Sequence, residues 1–258
     1  MDVAFRVPFA TQSLRLELER LCDISSTGSA GTAGYPLPSL EMRRTWDALA
    51  AGETAVYVGD PATGVSELAG LFGRLDGDPR GGTCVEVGCG PGRMTGALAE
   101  RFDRVVAVDV SPAMLERARA AVAAPNVRFV AVSGERLDGV EDGIADTLVC
   151  YLVLQHLPAR EVVEGYFREF ARVLAFGGDA YVQIPVLGSA GRLWRAARGP
   201  LIALGRRPDT GAAFRGFRLT RGELDRALAD AGLKVVAEDE GRSAYRFSRD
   251  RFLRLARQ

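Results

Sequence analysis

From Gly82 onward the chain alternates short apolar runs with stretches of helical spacing. Thr83 to Val87, Val105 to Val110, Val127 to Val132 and Asp179 to Ile184 are short, mostly apolar runs that predict strands. Ile144 to Leu154 reads as a longer apolar strand with its continuation. Between them, Arg93 to Phe102, Pro112 to Val122 and Ala159 to Leu174 are spaced as helices. Proline opens the second of these, and Gly177-Gly178 are predicted to end the third. Thr220 starts a further helix, with Glu223 three residues on as in a capping box, and Gly232 closes it. Leu233 to Ala237 and Ser243 to Phe247 read as two final strands. Strands alternating with helices predict an α/β fold whose parallel sheet is covered on both faces.

Upstream the pattern is weaker. Leu14, Leu16, Leu18 and Leu21 sit among charges in residues 10–22, a helix or a strand. Residues 23–40 are rich in Ser, Thr, Gly, Ala and Pro, which cannot bury enough apolar surface to order themselves. This predicts a flexible extension or lid over residues 1–40. Helical periodicity begins near Leu40 and includes Trp46, Leu49 and Ala50, with a second helix from Val65 to Leu75, so residues 41–80 form a helical cap. Residues 81–258 make up the main domain.

Composition then removes several function classes. The 258 residues carry 33 basic and 33 acidic side chains, a net charge of zero, which argues against a nucleic-acid binder running on bulk positive charge. One His (His156) and scattered cysteines supply no metal ligand set. Four Cys in this length do not make a disulfide scaffold, and Cys84 and Cys89 read as small buried hydrophobes rather than a redox pair. No apolar run approaches a membrane span, and Met1 to Arg6 do not begin like a signal peptide, so a cytoplasmic protein is expected.

The most informative stretch is Val85-Glu86-Val87-Gly88-Cys89-Gly90-Pro91-Gly92-Arg93. A strand ends, three glycines follow at alternate positions, and a helix begins. Glycine allows backbone angles and a close ligand approach that a side chain would block. The helix start favours a polar or anionic ligand group. Asp109, seventeen residues past Gly92, stands at the tip of the next strand, where a carboxylate can accept hydrogen bonds from a ribose diol. A dinucleotide loop would place its third glycine at position 93, which is Arg93, so the spacing favours the S-adenosylmethionine form of the loop. The plainer alternative is a tight turn with Asp109 in a buried ion pair.

Residues from about Thr83 to Pro185 resemble class I S-adenosylmethionine-dependent methyltransferases, and more narrowly the quinone, sugar and natural-product branch. Val85 to Gly92 is similar to the cofactor loop. Val108-Asp109-Val110-Ser111-Pro112-Ala113-Met114-Leu115 matches the segment holding the ribose acid and an adenine-side Met. Ala145 to Tyr151 with Gln155-His156-Leu157 resembles the fourth-strand region, and Ala171 to Gly178 the turn into strand five, with Phe176 where the family usually has Pro. The resemblance implies a doubly wound, seven-stranded, mostly parallel sheet ending in an antiparallel hairpin. It also implies an S-adenosylmethionine site built from Glu86, Gly88, Gly90, Gly92, Asp109, Val110, Met114, Ser133, Gly134, Glu135 and Tyr151. The family often has Asp after strand three to bond the adenine amino group. Ser133 stands in that place, so Ser133, Glu135 or the backbone supplies the contact.

The implied chemistry is in-line methyl transfer to a small-molecule acceptor, at oxygen before nitrogen or carbon, with no metal. The alternatives are an RNA or protein methyltransferase, or an inactive cofactor-binding partner subunit. His156, just after strand four, is a candidate general base or hydrogen-bond donor to the acceptor, unless it only packs or caps locally. Tyr151 is a wall of the site or a core residue. Trp46-Asp47 resembles an element that closes over the cofactor in related enzymes, and otherwise packs against the sheet. Between Leu187 and Arg221 stand eight arginines, Arg192, Arg195, Arg198, Arg206, Arg207, Arg215, Arg218 and Arg221, against a single acid, Asp209. That segment, 187–219, is expected to be an acceptor-side lid. Its guanidinium groups suit an anionic acceptor; an amphipathic face there suits peripheral contact with a membrane and a lipophilic one; a solvated surface is the third reading.

Overall fold

The computed structural model describes residues 38–52, 61–193, 216–245 and 247–258. The chain divides into two compact units, Met1–Leu37 and Pro38–Gln258, and every described residue belongs to the second. The element expected at 10–22, the Ser/Gly-rich stretch as far as residue 37, and most of the Arg-rich insert lie outside the described residues.

Helices α1 (Pro38–Ala50) and α2 (Gly64–Arg74) precede the sheet. Then come β1 (Thr83–Val87), α3 (Thr95–Ala99), β2 (Arg104–Asp109), α4 (Pro112–Ala121), β3 (Val127–Ala131) and β4 (Ala145–Cys150). A 3-10 turn at Leu154–His156 leads to α5 (Arg160–Val173), β5 (Leu174–Leu187), α6 (Arg221–Asp230), β6 (Leu233–Arg242) and β7 (Ser248–Arg257). The seven strands form one sheet in the order β3-β2-β1-β4-β5-β7-β6. All neighbours are parallel except β7, which runs antiparallel to both β5 and β6.

Hydrophobicity fixes this order. β1, β2 and β4 are buried along nearly their whole length, on both faces, and lie inside the sheet. β3 and β6, with exposed positions along their length, take the two edges. On one face α5 and α6 pack over the sheet. Val163, Tyr166, Phe167, Phe170 and Val173 form the buried stripe of α5 at helical spacing. Each such side chain stabilises the fold by about 1.5–3 kcal/mol. On the other face Leu68, Leu71 and Phe72 of α2 and Leu98 of α3 pack against Cys84, Val105, Val149 and Tyr181. β1 has β2 on one side and β4 on the other, so the winding reverses there and a crevice opens outside their carboxyl ends.

Several boundaries differ from expectation. The helix expected from Arg93 to Phe102 is only α3, because residues 90–94 are spent in the turn of the glycine loop. The apolar run from Ile144 stops as a strand at Cys150; the chain turns through Leu152 at φ 61° and enters the 3-10 turn. Gly177 and Gly178 do not terminate α5. The helix gives way directly to β5 at Leu174, and the two glycines lie inside that strand. A Cβ at Gly178 would meet the Ala145 carbonyl oxygen at 2.6 Å, so glycine here permits the close pairing of β5 with β4. Ser243 to Phe247 is the connection after β6, and the last strand starts at Ser248. The Thr220–Glu223 capping box is present in full, and Gly232, at φ 70°, ends α6 as its sequence predicts.

Candidate functional site

The glycine loop follows β1 at the switch point. Gly88, Gly90 and Gly92 all have positive φ, at 71°, 53° and 89°. The amides of Gly88 and Cys89 both donate to the Val108 carbonyl, at 2.8 and 3.0 Å, which ties the loop to β2. The glycines do different work. A Cβ at Gly88 would collide with Val153, and one at Gly92 would press on Val122 and Ala118 of α4. At Gly90 nothing lies within 4 Å of that position, so the loop is open there.

Asp109 ends β2 beside this opening. Its Oδ2 accepts the Gly90 amide at 2.8 Å and its Oδ1 the Ser111 amide at 2.9 Å. Burial pushes this carboxyl up to about 6, the backbone hydrogen bonds offsetting only part of the rise. Each oxygen keeps a further lone pair for a hydroxyl donor. Glu86 lies beneath the loop and accepts from Thr95 Oγ1 at 2.6 Å, which anchors the loop to α3. Burial lifts it to about 8, against the lowering effect of that hydrogen bond.

The other expected cofactor residues are spread around this centre. Val110 is half-buried beyond Asp109, while the Met114 side chain is packed into the interior. Met114 donates its amide to Ser111 Oγ at 3.1 Å, the N-cap of α4. Ser133 organises its own turn: its Oγ accepts from the Glu135 and Arg136 amides, both at 3.3 Å, and its amide donates to Asp138 at 3.0 Å. Gly134 is buried at φ 88°, and Glu135 is exposed. Asp138, held below the usual carboxylate range chiefly by its hydrogen bond with the Ser133 side chain, is the acid this turn actually positions.

Tyr151 is half-buried at the end of β4 with the Arg93 guanidinium 6.0 Å from its ring centre. Burial raises its phenol. Arg93 forms a buried ion pair with Glu67 of α2, a partnership of distant sequence positions that spacing could not reveal. His156 closes the 3-10 turn, half-buried, its Nε2 3.1 Å from Gln155 Nε2. With the amide nitrogen as donor, that ring nitrogen is the acceptor and the proton sits on Nδ1.

Helix α1 reaches both halves of this site. Trp46 packs edge-on against His156 with ring centres 5.1 Å apart. Asp47 Oδ1 accepts from Ser111 Oγ at 2.5 Å and from the Ala113 amide at 3.4 Å, placing a carboxylate at the positive end of α4. Trp46-Asp47 thus spans from the strand-four turn to the strand-two helix. Among the described residues no group of His, Cys, Asp and Glu could hold a metal ion. A hollow of 430 Å³ lies at the amino ends of β2 and β3, away from the loop.

Residues 85–182 match the family described as a methyltransferase domain. Over these residues the chain is similar to S-adenosylmethionine-dependent methyltransferases. The trans-aconitate 2-methyltransferase of Methylobacterium radiotolerans is 34% identical over 125 residues, covering 46% of this chain and 45% of that protein. The N-demethylindolmycin N-methyltransferase of Streptomyces griseus is 34% identical over 95 residues, 36% of this chain and 40% of that protein. The match spans less than half the length of either relative. Among solved structures, the N-methyltransferase NodS of Bradyrhizobium japonicum in complex with S-adenosyl-L-homocysteine superposes with a TM-score of 0.59 at 16% identity, over 84% of this chain and 98% of that one. The seven-stranded fold is therefore shared with proteins of very different sequence. No helix among its described residues is long and apolar enough to cross a membrane.

Proposed function

We propose that the chain transfers a methyl group from S-adenosylmethionine to an oxygen of a small, anionic acceptor by in-line displacement. The open, left-handed Gly90 beside the Asp109 carboxylate carries this reading. That cradle fits the cofactor: no Cβ fills it, and a buried acid at its rim has lone pairs for a ribose diol. The loop backbone and Asp109 would hold the cofactor's methionine and ribose parts, the 133–135 turn its adenine, and Val110 and Tyr151 its flanks. The Met114 side chain serves from behind, as packing under α4. When bound, the cofactor supplies a methyl already activated on a positively charged sulfur.

The chain's own task is then alignment and proton handling. The acceptor oxygen gains the methyl, and the electron pair of the broken bond stays on sulfur. A hydroxyl acceptor hands its proton to His156, whose Nε2 is released when Gln155 turns away. An acceptor that is already an ionised carboxylate has no proton to give, and His156 serves it as a hydrogen-bond donor. Trp46 and Asp47 hold α1 across the two halves of the site and exclude water. The relative named for trans-aconitate, an organic anion, and the arginines around β5 support an anionic acceptor. A nitrogen acceptor is the second reading, favoured by the relative named an N-methyltransferase.

Calorimetry on the full chain tests the first half. S-adenosylhomocysteine is expected to bind in the micromolar range, and absence of binding at high micromolar concentration overturns the reading. Turnover on hydroxyl, carboxylate and amine acceptors tests the second. For a hydroxyl acceptor, His156→Ala is expected to lower kcat by about 10²–10⁴-fold and to remove the acid limb of the pH profile. An unchanged profile returns His156 to a packing role.

A further inference from the structure

A second cavity, of 220 Å³, opens at the carboxyl end of β5. Three separate segments build it. Arg249 and Arg251 of β7 lie opposite Val186 and Ile184 of β5, so they share one face of the sheet. Arg192 comes from the helical turn that follows β5, and Arg221 opens α6. Ser189 and Thr220 complete the polar lining, and no acid contributes to it.

Charge is in surplus here. Arg221 pairs with Asp225 and Glu238, Arg251 with Glu238 and Glu240, and Arg249 reaches Glu240 at 3.9 Å. Arg192 donates only to the Ser189 hydroxyl, at 3.4 Å, and meets no carboxylate among the described residues. Four guanidinium groups thus share three carboxylates, all of which stand outside the cavity wall. Arg251 Nε is shielded from solvent with no hydrogen-bond acceptor, a buried donor left without its partner.

The cavity is also joined to the candidate site. Gly216 and Phe217 donate to the carbonyls of Gln155 and Leu157, at 2.8 and 2.7 Å, on either side of His156. The same strand of chain continues to Leu219 and Thr220, where Leu187 pairs with it at the cavity's floor. At 220 Å³ the cavity is smaller than the roughly 300–1,000 Å³ of ordinary small-molecule pockets. It is sized for one anionic end of a larger ligand.

We propose that this four-arginine cavity binds a carboxylate of the methyl acceptor, which makes the acceptor a small polycarboxylic acid. Guanidinium forks match carboxylates through paired hydrogen bonds, and Arg192 and Arg249 provide the accessible ones. The proposal rests on the methyltransferase reading for the identity of the ligand, but the cavity binds its anion by itself.

The probe is tricarballylate, a saturated three-carboxylate acid, titrated into the full chain with and without S-adenosylhomocysteine. Saturable binding is expected, weakening as salt rises. Arg192→Gln with Arg249→Gln is expected to weaken it at least tenfold, while Arg80→Gln, which precedes β1 and pairs with Asp78, leaves it unchanged. The double variant should bind S-adenosylhomocysteine as the parent does, which also shows that it folds. If the homocysteine product binds and tricarballylate does not, the cavity assignment is overturned and the methyltransferase reading stands. If tricarballylate binds the double variant equally well, the assignment is overturned as well. Loss of product binding in the parent, with tricarballylate still bound through these arginines, keeps the cavity and removes the methyltransferase reading.

Discussion

Gly88 and Gly90 are two residues apart, share a left-handed backbone, and answer to different demands. At Gly88 the strain of an L-residue adds to a collision with Val153. Gly88→Ala is expected to cost about 2–4 kcal/mol, from backbone strain and overpacking together. At Gly90 only the backbone strain applies, about 1 kcal/mol, but the new methyl projects into the space left for a ligand. Gly90→Ala is therefore expected to keep nearly the parent melting temperature and to lose at least tenfold in affinity for S-adenosylhomocysteine. Equal loss of stability in the two variants would mean that Gly90 is merely structural. Asp109 makes a companion case. A ribose diol donates to the ionised carboxylate, whose folded value is about 6 in the free chain. Affinity for S-adenosylhomocysteine should rise from pH 5 to pH 7 and then level off. Asp109→Asn should be weaker and flat over that range, as calorimetry at several pH values would read.

At the scale of elements, α1 is the piece whose role depends on partners far away in sequence. Asp47 couples it to Ser111 and to the first turn of α4, an N-terminal arrangement usually worth about 0.5–2 kcal/mol. If α1 covers the crevice, Asp47→Ala should shift the melting temperature by only a few degrees, yet speed release of S-adenosylhomocysteine several-fold in stopped-flow measurements. An unchanged release rate leaves α1 as a packing element. The helix itself was legible from its periodicity, and so was the Trp46-Asp47 pair. Its docking was not, because it is made by single hydrogen bonds between residues 64 positions apart. The central strands and the glycine loop were readable for the opposite reason: both faces of β1, β2 and β4 are buried, so local sequence is nearly all apolar. β7 escaped, since Arg249, Arg251 and Arg254 interrupt its apolar positions to meet acids on β6 and β5. The helix end expected at Gly177-Gly178 failed because those glycines answer to β4 across the sheet, not to the preceding helix.

For the whole molecule, a net charge of zero conceals a division that governs stability. Several acids before, within and after β4 are engaged: Asp142 and Glu169 hold Arg172, Asp146 accepts the Thr83 amide at 2.7 Å, and Asp138 holds its turn. Glu169 and Asp138 are held below their ordinary range by these hydrogen bonds. Their contribution is present above the unfolded value near 4 and is lost as pH falls through the folded one. Glu86 and Asp109 work in reverse. Burial raises them to about 8 and about 6, so the folded chain holds protons that the unfolded chain has already released. Their contribution is complete below about pH 4 and disappears as pH rises through those two values. The cofactor-free chain should thus be most stable in mildly acidic solution and lose stability steadily from pH 5 to pH 8. Glu86→Gln keeps an acceptor for Thr95 and removes the later of the two titrations. Urea denaturation at pH 5, 7 and 8.5 should show a shallower decline for this variant than for the parent, the difference accumulating from about pH 5 to about pH 8. Parallel declines would mean that Glu86 is already ionised under its loop at neutral pH, and the strand-one carboxylate would then have to find a counter-charge that burial beneath the glycine loop does not provide.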